Sequence, residues 1–208
     1  MCVVGGGVPK FAMNIADEST FAAMVAQGKI GIFPTDTVYG LVCSARDEVA
    51  CARLYAAKRR DTKPGTVLAS SIDQLVALGI KRPYLKASED FWNHAISVVI
   101  PCGTALAYLH LGRGSLAARI PRSQELREAL EASGPLLTTS ANLPGEPTAK
   151  TIEEAHAVFG GSVDFYIDGG YMGEHKPSTV IRIVDDAIEV LREGAVELDD
   201  AGRILREE

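Results

Sequence analysis

The sequence predicts an α/β (α+β) fold in a single domain. Short β-branched runs alternate with helical periodicities along the chain, a pattern that favours helices packed on a sheet over a bundle or a sandwich. Apolar residues make up 47% of the 208 residues, ample for one core. No repeat, low-complexity tract or linker divides the chain, so residues 1–208 read as one unit.

Taken in order, Phe21, Met24 and Val25 fall at i, i+3 and i+4 of a first helix, with Asp17 and Glu18 at its start and Gly28 as its stop. Lys29 to Phe33 follows as a strand, and Pro34, which has no backbone donor, is expected to end regular pairing there. A helix from about Asp47 to Lys58 is expected to bury Val49, Leu54 and several alanines and to deliver Lys58, Arg59 and Arg60 at its carboxyl end. Thr66 to Ala69 reads as a strand and Ile72 opens another helix; Ile96 to Ile100 and Leu116 to Ile120 read as strands. Ser123 caps a helix to about Ala132, Gly134 and Pro135 stop it, and Leu136 to Thr139 is a strand. Thr151 and Glu154 have capping-box spacing for a helix that Gly160 and Gly161 close. Val163 to Ile167, Thr179 to Val184 and Ile188 to Leu191 are strands, the last two joined at Asp185-Asp186. The charged stretch 197–208 is expected as a surface helix or a frayed end.

Several function classes are disfavoured. No stretch supplies 18 apolar residues in succession, and residues 1–10 lack the pattern of a secretory leader, so a soluble, cytoplasmic protein with no membrane partner is expected. Cys2, Cys43, Cys51 and Cys102 form no C-x-x-C pair and read as reduced, buried thiols; His94, His110, His156 and His175 are equally scattered, so no protein-fixed metal is expected. The net charge of −6 argues against a surface dedicated to nucleic acid. Basic charge is instead concentrated in Lys58, Arg59, Arg60 and Lys63; taken alone the cluster reads first as cations at the negative end of a helix, and it is also sized for a small anion such as a triphosphate.

The most informative segment is Phe33-Pro34-Thr35-Asp36-Thr37-Val38-Tyr39-Gly40-Leu41, which crowds hydroxyls, a carboxylate and a phenol at a strand's carboxyl end, where α/β proteins tend to bind ligands. Read alone, it is also compatible with a turn satisfying its own backbone, and Tyr39 with either ring packing or ligand contact. Three further segments pair an apolar strand with small polar or basic residues: Ser115 to Pro121, Leu136 to Asn142 and Pro177 to Ile181.

With Lys58-Arg59-Arg60 and Arg192-Glu193-Gly194, these segments resemble the YrdC family, whose patterns PT-[DE]-T-x-YGL, K-x-R, S-x-N, STV and R-x-G all have counterparts here in order, from about Phe33 to about Val196. The resemblance implies a twisted, largely mixed β-sheet with flanking helices around a concave ligand site. It places the motifs within about residues 15–196 and suggests the short, single-domain type. It also implies a threonylcarbamoyl-AMP synthase, which joins L-threonine, bicarbonate and ATP into threonylcarbamoyl-AMP and pyrophosphate for modification of tRNA. In that chemistry a carbamate oxygen attacks the α-phosphorus, and the enzyme positions reactants and stabilises phosphoryl charge without a nucleophile of its own. Mg2+ would accompany ATP, with no prosthetic group, and tRNA threonylcarbamoyl transferase proteins would take the product.

By the same resemblance, Lys58 and Arg60 would hold phosphate and, with Ser140 and Asn142, form the catalytic set. Thr37, Thr35, Arg119, Ser140 and Ser178 would bind threonine, Arg119 through its carboxylate. Arg60, Lys63, Ser115, Asn142 and Arg192 would face the nucleotide. Three departures stand out. Trp92-Asn93-His94-Ala95-Ile96-Ser97 replaces a W-P-G-P-x-T stretch, Leu143-Pro144-Gly145 follows the S-x-N motif in place of Ser-Gly, and Asp61 follows Arg60 in place of proline. Asp61 would weaken ATP or help hold Mg2+. Two other readings stay open: an RNA-binding or ribosome-associated module with weak RNA binding, and a divergent nucleotide-binding paralogue without synthase activity.

Overall fold

The computed structural model describes residues 15–16, 18–59, 63–92, 94–173, 175–185, 187–199 and 201–207. Ten strands form one mixed sheet: β1 (Ile15–Ala16), β2 (Gly31–Pro34), β3 (Tyr39–Ser44), β4 (Thr66–Leu68), β5 (Ile96–Pro101), β6 (Ser115–Arg119), β7 (Leu136–Ser140), β8 (Phe165–Ile167), β9 (Thr179–Val184) and β10 (Ala187–Arg192). Their spatial order is β1-β8-β2-β3-β7-β4-β6-β5-β9-β10. The pairs β1–β8, β2–β8, β4–β6 and β5–β9 are parallel and the rest antiparallel. The α-helices are α1 (Glu18–Ala26), α2 (Glu48–Ala57), α3 (Ile72–Leu78), α4 (Arg82–Lys86), α5 (Ala107–His110), α6 (Gln124–Ser133) and α7 (Ile152–Phe159). None of the described helices is long and apolar enough to cross a membrane.

Side-chain alternation along the strands divides the sheet into two unlike faces. Leu41, Val67, Val98, Ala118, Leu137 and Ile181 point to one face, where α2, α3, α5 and α7 cover them with Leu54, Leu75, Leu109 and Phe159. On the other face α1 and α6 cover only one end, packing Phe21, Leu126 and Leu130 on Phe33, Leu68, Leu136 and Phe165. Phe21 meets Phe33 at 4.2 Å and Phe165 edge-on at 5.9 Å between ring centroids. The rest of that second face is a cleft.

Caps follow the sequence. Asp47 accepts from the N–H of Ala50, Ser71 from Gln74, Ser123 from Leu126 and Thr151 from Glu154, each satisfying a first-turn donor with no partner inside the helix. Glu154 reaches back to the N–H of Lys150 at 2.8 Å, so the box closes one residue before the cap.

Four sequence expectations need refining or correcting. Pro34 is itself paired: it stands opposite Tyr39 as the last residue of β2, and β2 and β3 form a hairpin turning at Thr35–Val38. Val49 is 71% exposed; five residues separate it from Leu54, about 140° around a helix, and the buried stripe runs instead through Ala50, Cys51, Leu54 and Tyr55. Cys43 and Cys51 are buried free thiols, but Cys102 is half-buried, its thiol pushed up to about 11 by burial. Cys2, Asp17 and Asp186 lie outside the described residues.

The fourth concerns the tail. It is a hairpin, β11 (Val196–Leu198) with β12 (Ile204–Glu207), and Asp199 holds its turn by accepting from the N–H groups of Ala201 and Arg203 at 3.0 and 2.8 Å. Glu207 then clamps the loop before β5: its carboxylate accepts from the N–H of Ala95 at 2.9 Å and lies 2.8 Å from Nδ1 of His94.

Candidate active site

The open half of the second face is a cleft of about 1090 Å³. Its floor is built of alternate, mostly small residues whose register aligns them across strands: Thr138 opposite Thr66, Thr66 opposite Ala117, and Ala117 opposite Val99. Gly40 belongs to this floor, since a Cβ there would stand 2.6 Å from the Thr138 hydroxyl. Seven cationic residues line the cleft, namely Lys58, Arg59, Lys63, Arg113, Arg119, Arg182 and Arg192, and no Asp or Glu among the described residues does. In a chain of net charge −6, that segregation makes the cleft an anion site, because cations around a low-dielectric wall focus their field into it.

Arg119, at the end of β6, is 3% exposed. Its Nη2 donates to Oδ1 of Asp36 at 2.5 Å, whereas Nε and Nη1 are buried without a hydrogen-bond partner. Burial lowers the pKa of this guanidinium, and the adjacent Asp36 opposes that shift. Unsatisfied buried donors on a charged group are costly, and a carboxylate entering the cleft offers the oxygens they lack.

Asp36 stands in the β2–β3 turn, and here Thr35 serves the backbone. Its hydroxyl donates to the carbonyl of Val38 at 2.7 Å and accepts from the N–H groups of Thr37 and Val38, each at 3.2 Å. Thr37 is 6% exposed, its hydroxyl 3.1 Å from that of Thr35, and both line the cleft. Tyr39 packs: it is fully buried, donates to the carbonyl of Gly170 at 2.8 Å and accepts from the N–H of Gly169 at 2.9 Å.

Lys58 differs from the exposed cation that its sequence context suggests. It is 3% exposed, and its ammonium donates to the carbonyls of Ser140 and Asn142, both at 2.5 Å, and to Oδ1 of Asn142 at 2.7 Å. Ser140 Oγ donates to the same Oδ1 at 2.6 Å, while Nδ2 of Asn142 donates to the carbonyls of Leu143 and Glu146. Lys58 of the K-x-R motif and the S-x-N motif therefore meet in one polar knot in the cleft wall. Arg59 follows with a positive φ of 53°, is exposed and also lines the cleft. Arg60 and Asp61 lie outside the described residues.

On the opposite wall Ser178 is 2.8 Å from the hydroxyl of Ser97, and Arg192 donates to the carbonyl and hydroxyl of Ser178 at 2.5 and 3.2 Å. Gly194 is obligatory there, because a Cβ would overlap the backbone of Pro177 and Ser178. Ser115 and exposed Lys63 also line the cleft. Trp92 of the altered loop is buried with its Nε1 unpartnered, and Asn93 lies outside the described residues. Sequence reading missed Asp36 as the partner of Arg119, and Arg113 and Arg182 as wall cations. Period-2 alternation along β9 places Arg182 beside Val180 on the cleft face; for Arg113, in a loop, no local signal exists.

Comparison with known proteins gives this geometry its context. A threonylcarbamoyl-AMP synthase of Pseudoalteromonas translucida is 33% identical over 80% of this chain and 94% of its own. The crystal structure of P. abyssi Sua5 complexed with L-threonine superposes with a TM-score of 0.77 at 28% identity, covering 89% of this chain and 58% of that longer one. E. coli YciO superposes at 0.75 with 25% identity over 91% and 96% of the two chains. The Sua5–YciO–YrdC family profile, described as telomere recombination, matches residues 23–194. The chain belongs to the Sua5–YciO–YrdC family.

Proposed function

We propose that this protein is a threonylcarbamoyl-AMP synthase acting in threonylcarbamoyladenosine modification of tRNA. One observation carries the reading: a cleft whose described lining residues include seven cations and no Asp or Glu, in which buried Arg119 keeps two nitrogens unpartnered. In this reading those donors take the carboxylate of threonine, with Thr37 and Ser178 beside it, and the exposed cations Arg59, Lys63 and Arg113 face the triphosphate. Ser115 and Arg192 flank the nucleotide. Lys58, Ser140 and Asn142 hold the wall that aligns the two substrates; Arg60, by its motif position, adds a further phosphate contact.

Threonine's amine and bicarbonate condense to a carbamate with loss of water, and a carbamate oxygen then displaces pyrophosphate at the α-phosphorus. Alignment and charge stabilisation supply the acceleration. Mg2+ is proposed to arrive with ATP on phosphate oxygens, the usual mode for this ion. Transferase proteins acting on tRNA would consume the adenylate.

The test is incubation of the protein with threonine, bicarbonate, Mg2+ and ATP, followed by mass detection of threonylcarbamoyl-AMP. Its appearance is expected; ATP binding without any adenylate would instead favour a nucleotide-binding paralogue.

A further inference from the structure

A cleft that holds an amino acid and a nucleotide together must sort two kinds of anion, and cations alone do not sort them. A guanidinium binds carboxylate and phosphate alike, and the more highly charged polyphosphate has the stronger Coulomb attraction. The two ends of this cleft differ in one respect. Arg59, Lys63 and Arg113 are exposed cations, and no Asp or Glu is found among the described residues that line the cleft with them. Arg119 is 3% exposed and donates to Asp36, itself only 13% exposed, at 2.5 Å, so the attraction between them is little screened by water.

We propose that Asp36 is a specificity-determining residue: by neutralising Arg119 while leaving its Nε and Nη1 donors uncommitted, it reserves that end of the cleft for a singly charged carboxylate and keeps polyphosphate away. The Asp36–Arg119 pair has almost no net charge, so what it offers a ligand is directional hydrogen bonding. A carboxylate satisfies those donors with two oxygens. Pyrophosphate would bring several negative charges beside the carboxylate of Asp36 and be repelled. Asp36 is also rigidly placed, since the hydroxyl of Thr35 fixes the turn through three hydrogen bonds to the backbone of Thr37 and Val38. Asparagine at this position keeps the shape and an acceptor oxygen but leaves the charge of Arg119 unopposed.

This inference rests on the threonine and ATP reading of the cleft, and pyrophosphate, a product of that reaction, serves as the probe. L-threonine and pyrophosphate are titrated calorimetrically, each alone and each in the presence of the other, into the wild-type chain, Asp36→Asn, Asp36→Glu, and Asp36→Asn combined with Arg119→Gln. In the wild type, saturating pyrophosphate is expected to leave threonine affinity within twofold. In Asp36→Asn the same pyrophosphate weakens threonine at least tenfold and a second equivalent binds. Asp36→Glu behaves as the wild type, and adding Arg119→Gln abolishes the second equivalent.

A wild type that already loses threonine to pyrophosphate overturns the proposal. So does a folded Asp36→Asn that matches the wild type, or an Asp36→Glu that takes a second equivalent. If Asp36→Asn does not fold, the wild-type competition and Asp36→Glu still decide. A wild type that binds pyrophosphate but no threonine defeats the synthase reading instead, and the number of pyrophosphate equivalents in Asp36→Asn then decides the role of Asp36 by itself.

Discussion

Lys58 and Arg119 show how burial changes the meaning of a charged residue. Both are 3% exposed, yet Lys58 donates to three oxygens of Ser140 and Asn142, while Arg119 has partners for only part of its guanidinium. Lys58→Ala would strand those acceptors in the cleft wall, so it is expected to lower stability by about 3 kcal/mol as well as activity. Lys63→Ala, at an exposed position, should stay within about 0.5 kcal/mol. Urea denaturation of both variants checks this, and equal stabilities would remove the Lys58 knot from the structural account. Arg119→Lys keeps the charge but loses the planar fork, so threonine affinity should fall about tenfold, or roughly 1.4 kcal/mol, with ATP binding in the absence of threonine unchanged. Calorimetry decides it: unaltered threonine binding would take Arg119 out of the amino-acid site. The sequence motif marks Lys58 as important, but its burial depends on Ser140, 82 residues away in the chain, a separation that local pattern does not read.

At the scale of elements, hydrophobic periodicity located most strands and the capped helices, because cap chemistry and alternation are local. It failed where tertiary packing chose. The β2–β3 hairpin pairs through Pro34, whose missing donor is tolerated at a strand end, and its turn is closed by the Thr35 side chain. The charged tail forms strands because Asp199 and Gly202 supply a turn and Glu207 finds partners at His94 and Ala95. Tyr39 is the strut between this hairpin and the loop after β8. Tyr39→Phe should cost about 1 kcal/mol, since the hydroxyl of this buried ring gives up its hydrogen bonds to the carbonyl of Gly170 and the N–H of Gly169. Amide exchange should quicken at Gly169 and Gly170; unchanged protection there would mean that the ring alone holds the loop.

For the whole molecule, the division of one sheet into a fully covered face and a half-open one creates the cleft. Acid should weaken two carboxylate ties elsewhere in the fold. Burial alone would raise the pKa of Asp164 and of Glu207, but Arg53 and the N–H of Ile30 outweigh it at the first, and His94 and the N–H of Ala95 at the second, leaving both lowered. Folded-state values below the unfolded ones, about 3.9 and 4.3, mean stability that is fully present above that range and lost as pH falls through the folded values. Melting temperature is therefore expected to drop below about pH 4, with a shallower drop in Glu207→Gln. An identical profile in that variant would separate the C-terminal hairpin from acid stability.

In the proposed reaction threonine and bicarbonate first give a carbamate, and a carbamate oxygen then attacks the α-phosphorus of ATP in this cleft. Pyrophosphate release, measured with each substrate omitted in turn, tests it most directly. Release that requires threonine and bicarbonate together is predicted; equal release from threonine and ATP without bicarbonate, the signature of ordinary amino-acid adenylation, would contradict it.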